Sequence, residues 1–580
     1  MKIDHVKLSG FRNFNNARIN FSKNTLVIGG NDVGKTNLMH ALRMLLDKSL
    51  SELDIEPTEL DFHIAPDGQQ SETFEITIAF SDVQKDAVLS VLKGHVSDEN
   101  HTFFRYVGQR NDLSYTLYVG YSLDDLEEVS SRFYLKHLSL KYIHSQRDLQ
   151  KFIQREKRHL LKISQEDLEK EQKTQDVDRL AGIGHSLNHI NSEVSQLNYV
   201  ANATSQVNQE LQSLAHHHSD YTVHLDSGAI QVNQFIDKLE LGANTNGSQV
   251  MLGGDGRNNQ ILLALWKAKS VREHDLNSEV VFYCVEEPEA HLHPHQQRKL
   301  ARYLTDELPG QSIITSHSPQ ITGKYKPDSI IRLLNSTGAT RAANEGCSDC
   351  ISGAWDDMGY RISILPAEAF FSSSVLLVEG PSEMLFYTTL ADKLSIDLDY
   401  LNISILSVDG VQFEVYTKIL DAMEIPWAMR TDNDVSKVKN HPGRMRCAGM
   451  NRCLRAAGVF APGSVNAPEG QDLYYEEPSL TSQILVDRGC WFEISKAVNP
   501  RGIFLAKKDL ENDLALELSA QICEFANKPG DIDAAVKYLQ GQKAVRMRRF
   551  LTEYSTALSN IAAGELAKPL FYCWEQVTGA

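Results

Sequence analysis

Apolar and polar positions alternate along the start of the chain, where Ile3, Val6 and Leu8, then Ile19 and Phe21, stand among polar neighbours. A period of two predicts strands, and the apolar run through Leu26, Val27 and Ile28 predicts one buried on both faces. A glycine-rich turn and a helical stretch over 36–50 follow, giving strand, glycine loop, helix. Alternation returns at 71–80 (SETFEITIAF), 102–107 and 114–121, which predicts an antiparallel sheet. The texture changes after about 148. Residues 149–245 are rich in Gln, Glu, Lys, Asn, Ser and His, with leucines at helical spacing in LSLKYIHSQRDLQKF and LNHINSEVSQLNYV. This pattern predicts an inserted, mostly helical segment, either a solvated arm or dimerisation module or a disordered linker. Buried strands recur at 279–285 and 311–315, and a linker poor in apolar residues spans 335–357. Strands at 374–378, 402–408 and 426–430 alternate with helices, which predicts a second α/β domain.

Composition narrows the class. At 580 residues the chain has room for about three or four domains. With 42% hydrophobic and 23% charged residues it reads as a soluble globular protein, not a collagen-like, mucin-like or disordered one. The net charge of −18 excludes nucleic-acid binding by bulk charge, so any such binding needs local basic patches or metal ions. Eight scattered cysteines make no disulfide framework. The first residues carry no signal-peptide core, and no apolar run approaches a membrane span. A cytoplasmic location without membrane contact, and reduced thiols, are the expectation.

Residues 29–36 (GGNDVGKT) fit G-x-x-x-x-G-K-[ST]. Gly29, Asn31 and Gly34 belong to a loop whose backbone N–H groups can turn around phosphate oxygens at a helix N-terminus. Lys35 can reach the β- and γ-phosphates, and Thr36 can ligate Mg²⁺ of bound ATP. The apolar run 280–285 ends in Glu286 and Glu287. Two adjacent carboxylates at a strand end are costly unless a cation neutralises them. Glu286 is expected to hold Mg²⁺ and Glu287 to orient or deprotonate an attacking water, with His317 of TSHSP contacting the γ-phosphate. His291, His293 and His295 fit either metal ligation or interface packing. Cys347 and Cys350 form a lone C-x-x-C, weak evidence for zinc, and the run 216–218 (HHH) is a surface feature.

A second acid cluster lies downstream. The strand 375–378 runs into Glu379 and Gly380, with Glu383 one helical turn on. About fifty residues later come Asp432 and Asp434, spaced so that an extended segment points both carboxylates one way. Further elements are KDLEND, with Glu511 and Asp513, and QKAVRMRR, with Lys543. Lys437, Lys439, Arg444 and Arg446 follow the D-x-D, and Arg546, Arg548 and Arg549 follow Lys543. These basic residues can contact phosphates or serve as solvated charge.

FRNF, GGNDVGKT, EEPEAHLHP and TSHSP resemble the ABC-type ATPase heads of SMC, RecF and OLD (overcoming lysogenization defect) proteins. That resemblance implies heads that close face to face around nucleotide, each offering a signature loop. The candidate here, 252–257 (LGGDGR), lacks a serine among its glycines, which favours nucleotide as a signal over fast hydrolysis. E-G-x-x-E followed by D-x-D resembles the Toprim fold, whose acids converge on divalent metal. Over its length, including GMNRCL at 449–454, the chain resembles the class 2 OLD-family endonucleases, a group that includes the nuclease subunit of the Gabija antiphage system. The resemblance implies a metal site of Glu379, Glu383, Asp432, Asp434, Glu511 and Asp513 holding two Mg²⁺ or Mn²⁺ ions. It makes Glu379 catalytic, with Lys543 offsetting charge on the phosphorane. It also implies cleavage of double-stranded DNA in antiphage defence, a homo-oligomer (dimer or tetramer), a UvrD-like helicase partner, and nucleotide gating of the nuclease.

The expected architecture is α/β and multidomain. An ABC/SMC-like P-loop ATPase head occupies 1–148 and 246–345, interrupted by a helical insertion at 149–245 that serves dimerisation. A Toprim-like nuclease domain with a C-terminal extension occupies 346–580. Two rivals stand beside this reading. A RecF- or SMC-like DNA-repair ATPase binds DNA without cutting it and needs no second acid cluster. A Toprim topoisomerase or primase needs a nucleophilic tyrosine or a zinc ribbon, and neither is recognisable.

Overall fold

The computed structural model describes residues 1–143, 157–158, 161–162, 164–214, 242–245, 248–251, 279–290, 292–308, 310–347, 367–408, 413–462 and 472–579. The chain divides into two compact units. One comprises 1–143, 277–289 and 294–580, the other 144–276 with 290–293.

In the first unit the N-terminal half builds two sheets. The antiparallel one has the order Phe14–Asn20, Lys2–Phe11, Thr73–Ser81, Thr102–Gln109, Tyr115–Ser122, Asp125–Val129. Ile3 and Val6 are both buried although three residues apart, because a bulge between Ile3 and His5 resets the alternation. The second sheet has the order Ala339–Ala342, Ile330–Ser336, Asn24–Ile28, Gln311–Thr315, Val280–Glu286, Leu138–Ile143. Its pairings are parallel except for the hairpin of its first two strands. Val280–Glu286 is buried at every position, as expected of a strand covered on both faces. Aromatic rings fill the space between the sheets, with Phe80 of one 5.9 Å from Phe282 of the other.

Two expectations are corrected here. The segment LSLKYI was read as helical; it is the strand Leu138–Ile143, with Leu138 and Leu140 buried on one face. Leu140 and Ile143, three apart, fit a helix, whereas Leu138 and Leu140, two apart, fit a strand, and so short a window does not decide between them. The span 335–357 was read as a linker. Its described part instead completes the edge hairpin, where Thr337 (φ 51°) and Gly338 (φ 83°) make the tight turn.

The C-terminal half carries a parallel sheet of order Ile403–Ser407, Ser374–Val378, Trp427–Thr431, Ile503–Leu505. Helices Pro381–Lys393, Leu510–Glu517, Ile532–Gln540, Lys543–Tyr554 and Lys568–Thr578 share an apolar core with it around Phe386, Leu390, Leu514 and Phe550. A small antiparallel sheet, Val435–Val438, His441–Cys447 and Tyr474–Tyr475, follows the D-x-D.

The edge hairpin meets this C-terminal half. Arg332 donates to the carbonyls of Met423 and Glu424 at 3.1 and 2.9 Å and to that of Ser372 at 3.1 Å. Arg341 grips both oxygens of Glu424 at 2.7 and 2.5 Å.

The second unit contains helices Lys170–Ser195 and Asn198–Leu214 and the hairpin Gly242–Thr245, Ser248–Met251. Among the described residues no helix is long and apolar enough to cross a membrane.

Candidate nucleotide and metal sites

Strand Asn24–Ile28 feeds residues 29–36. Gly34 stands at φ 99° ahead of helix Lys35–Leu46, and a Cβ there would lie 2.0 Å from Asn13 Nδ2, so only glycine fits. Asn13, from FRNF, donates to Val33 O at 2.8 Å and to Thr340 Oγ1 at 2.6 Å, and accepts from Asn37 Nδ2 at 2.7 Å. It braces the loop from behind, a role that the motif's spacing did not reveal. Asn31 and Thr36 are exposed at the loop's mouth.

Lys35 is buried, and its Nζ donates to the carbonyls of Gly29 and Gly30 at 3.0 and 2.8 Å. Burial lowers its pKa, while Glu287, Asp32 and Glu286 oppose that shift. Glu286 ends its strand fully buried; its Oε2 accepts from Tyr142 OH at 2.8 Å. Its Oε1 is buried with no donor among the described residues, which suits a Mg²⁺ accompanying nucleotide. Glu287 Oε1 lies 3.3 Å from His317 Nε2. Burial and the charge of Lys35 hold the His317 pKa below its usual value. Glu289, passed over in the sequence, accepts from Ser316 Oγ and from His317 N–H, both at 2.7 Å. It fixes the turn that carries His317. Thus Lys35, Glu286, Glu287 and His317 meet at the C-terminal ends of adjacent parallel strands, where open α/β sheets bind ligands. The segment 252–257, His291, Cys350 and the run 216–218 lie outside the described residues. His295 accepts from Arg298 at 2.6 Å.

In the C-terminal half, strand Ser374–Val378 ends at Glu379 and the neighbouring parallel strand Trp427–Thr431 ends at Asp432. Gly380, the N-cap of helix Pro381–Lys393, is extended (φ −155°). Glu383 lies in the first turn of helix Pro381–Lys393, and Glu511 in the first turn of Leu510–Glu517, both buried. Burial raises the pKa of Asp432 above the usual carboxylate range, with Glu379 adding to the shift and Arg430 and Lys543 opposing it. Burial likewise raises Glu383, helped by Glu511 and Glu379. Lys543 Nζ is 3.6 Å from Glu511 Oε2 and feels Asp432, Asp509 and Glu383 as well. Glu379, Glu383, Asp432, Glu511 and Lys543 are therefore electrostatic neighbours.

Two predicted ligands are held by arginines. Asp513 Oδ2 accepts from Arg430 at 2.8 Å and from Lys507 N–H at 3.1 Å, and its Oδ1 from Lys508 N–H at 3.3 Å. Asp513 also lines a separate cavity of about 220 Å³ with Trp491, Ser495 and Lys507. Asp434 is half-exposed and held by Arg452 at 2.9 Å. Arg452, of the GMNRCL segment, received no role from the sequence.

Among the described residues no group of three or more His, Cys, Asp or Glu side chains is close enough to hold a metal as it stands. The donor set nevertheless fits divalent cations. Asp432 Oδ1 and both oxygens of Glu511 are buried without a hydrogen-bond donor, and all the acids offer hard oxygen ligands.

Residues 1–179 and 124–322 match the family described as AAA ATPase domain, and 370–434 match the overcoming lysogenization defect protein-like TOPRIM domain. The first covers more than half of the chain, so the chain belongs to the AAA ATPase domain family, in the OLD group that joins such a head to a Toprim domain. It is 24% identical to endonuclease GajA of Bacillus cereus (strain VD045) over 96% of both chains. It is also 28% identical to the OLD nuclease of Thermus scotoductus (strain ATCC 700910 / SA-01) over 26% of this chain and 30% of that one. Among solved structures it resembles an SMC head bound to the C-winged helix domain of ScpA, with 18% identity and a TM-score of 0.38 over 59% of this chain and 97% of that one.

Proposed function

We propose that the chain is a metal-dependent DNA endonuclease whose acid cluster hydrolyses phosphodiesters and whose head binds ATP with Mg²⁺ as a regulatory signal. The observation that carries this is the convergence of Glu379, Glu383, Asp432 and Glu511, with oxygens lacking donors, beside Lys543. Divalent ions, Mg²⁺ or Mn²⁺, would supply water activation and leaving-group stabilisation when bound. Those four acids would hold them, with Asp434 adjacent. Lys543 places a positive charge where a scissile phosphate gains negative charge. The exposed Lys437, Lys439, Arg548 and Arg549 lie near this site in sequence and would hold the DNA backbone.

At the head, Glu287 would orient water and His317 would contact the γ-phosphate. We further propose a role in antiphage defence, which the likeness to GajA supports, and with it a homo-oligomer, a UvrD-like helicase partner and a cytoplasmic location. The test is nicking of supercoiled plasmid with Mg²⁺ or Mn²⁺. Persistent nicks or linear product, lost in Glu379→Ala, support the reading. Binding of DNA with no cleavage in either metal overturns it in favour of a repair-type ATPase, and religated topoisomers favour a topoisomerase.

A further inference from the structure

Arg452 projects from helix Ala448–Ala457 into the turn that carries the D-x-D. The helix is seated tightly there: a Cβ on Gly449 would lie 2.2 Å from Asp432 O. Asn451, buried on the same helix, accepts from Leu473 N–H at 2.7 Å and returns a bond to Leu473 O at 3.3 Å. Arg452 therefore sits on an element locked by backbone contacts and is itself nearly buried.

Its guanidinium serves four acceptors. Nε donates to Thr431 Oγ1 at 2.8 Å. Nη2 donates to Glu379 Oε1 at 2.8 Å, to Asp434 Oδ2 at 2.9 Å and to Asp432 O at 3.0 Å. Glu379 Oε1 also accepts from Thr431 Oγ1 at 2.5 Å and from Asp432 N–H at 2.8 Å. Three donors exhaust that oxygen. Oε2 receives none from the described residues. A planar fork can meet these acceptors at once, and an ammonium cannot reproduce it.

We infer that Arg452 is a positioning residue: with Thr431 it locks Glu379 by one oxygen, so that the other is presented to a divalent cation, and it ties Asp434 into the same frame. This rests on the nuclease reading above. The role is that of an outer partner that orients a metal ligand.

The test is Mn²⁺ titration of the full chain by calorimetry without nucleotide, beside the Mg²⁺ dependence of plasmid nicking. Glu379→Ala identifies the site in question. Arg452→Gln and Arg452→Lys should weaken Mn²⁺ at that site by roughly 10–100-fold and raise the half-saturating Mg²⁺ by a similar factor. Arg452→Lys should recover most of the maximal rate at saturating metal. Thr431→Val, which removes a donor to the same oxygen without altering charge, should shift affinity the same way but less, and it decides the matter if Arg452→Gln does not fold. A melting temperature lowered in EDTA with unchanged Mn²⁺ affinity means a merely structural arginine and overturns the inference. If the parent chain shows no Mn²⁺ binding that Glu379→Ala removes, the nuclease reading itself fails.

Discussion

The two candidate sites sit at equivalent places, the C-terminal ends of parallel strands, yet they balance charge in opposite ways. In the head the cation is already housed. Lys35 is spent on the Gly29 and Gly30 carbonyls, and one oxygen of Glu286 is satisfied by Tyr142. The C-terminal site is short of donors. Glu511 is buried with neither oxygen hydrogen-bonded, although Lys543 stands 3.6 Å away. Each such unpaired buried acceptor costs about 1–3 kcal/mol. The first arrangement is a cradle whose lysine contacts a bound phosphate would take over. The second is a set of acids whose unpaired oxygens bound cations would relieve.

The largest expected effect separates the sites outright. Glu379→Ala should reduce plasmid cleavage to background while leaving binding of a fluorescent ATP analogue intact. Lys35→Ala should do the reverse, weakening that analogue by roughly 10–100-fold through loss of a charged hydrogen bond while nicking without nucleotide persists. Equal losses of both activities in both variants would show that the sites are not separable.

Next come the acids of helix Leu510–Glu517. Asp513→Ala strands Arg430, nearly buried, and should lower stability by about 3–5 kcal/mol, read by urea unfolding in EDTA. Glu511→Leu should abolish cleavage yet raise the stability of the metal-free chain by about 1 kcal/mol, because it removes a buried carboxyl group that lacks a hydrogen-bond donor. A destabilised Glu511→Leu would contradict the picture of unpaired oxygens.

Smaller effects test the supports. Asn13→Ala should cost about 1–2 kcal/mol by leaving Val33 O and Thr340 without its amide, and should loosen ATP-analogue binding. Arg341 and Glu424 are partly exposed, so a double-mutant cycle between them should return a coupling of about 0.2–1 kcal/mol.

What could be read in advance follows the range of the interactions. The phosphate loop, the strand ending in Glu286 and Glu287 and the strand ending in Glu379 are contiguous stretches whose burial and turn chemistry are local, and they stand where periodicity placed them. Asp513 is a different lesson. In a helix, residues two apart are separated by about 200°, so Glu511 and Asp513 could not face one cluster. That conclusion was available once the helix was recognised. Arg452 was not available from period or spacing, since its meaning depends on Gly449 letting the helix lie against the D-x-D turn. Leu138–Ile143 was misread because six residues cannot distinguish a heptad from an alternation.

The edge hairpin has a geometric consequence. Thr340 donates to Val33 O of the phosphate loop at 2.8 Å, and the next residue, Arg341, clasps Glu424. Successive residues of a strand point to opposite sides. One peptide unit therefore separates the contact to the 29–36 loop from the contact to Glu424, which leads through Ile425 and Pro426 into the strand ending at Thr431. A one-residue slip of the hairpin would carry Thr340 and Arg341 to the opposite faces and break both contacts together.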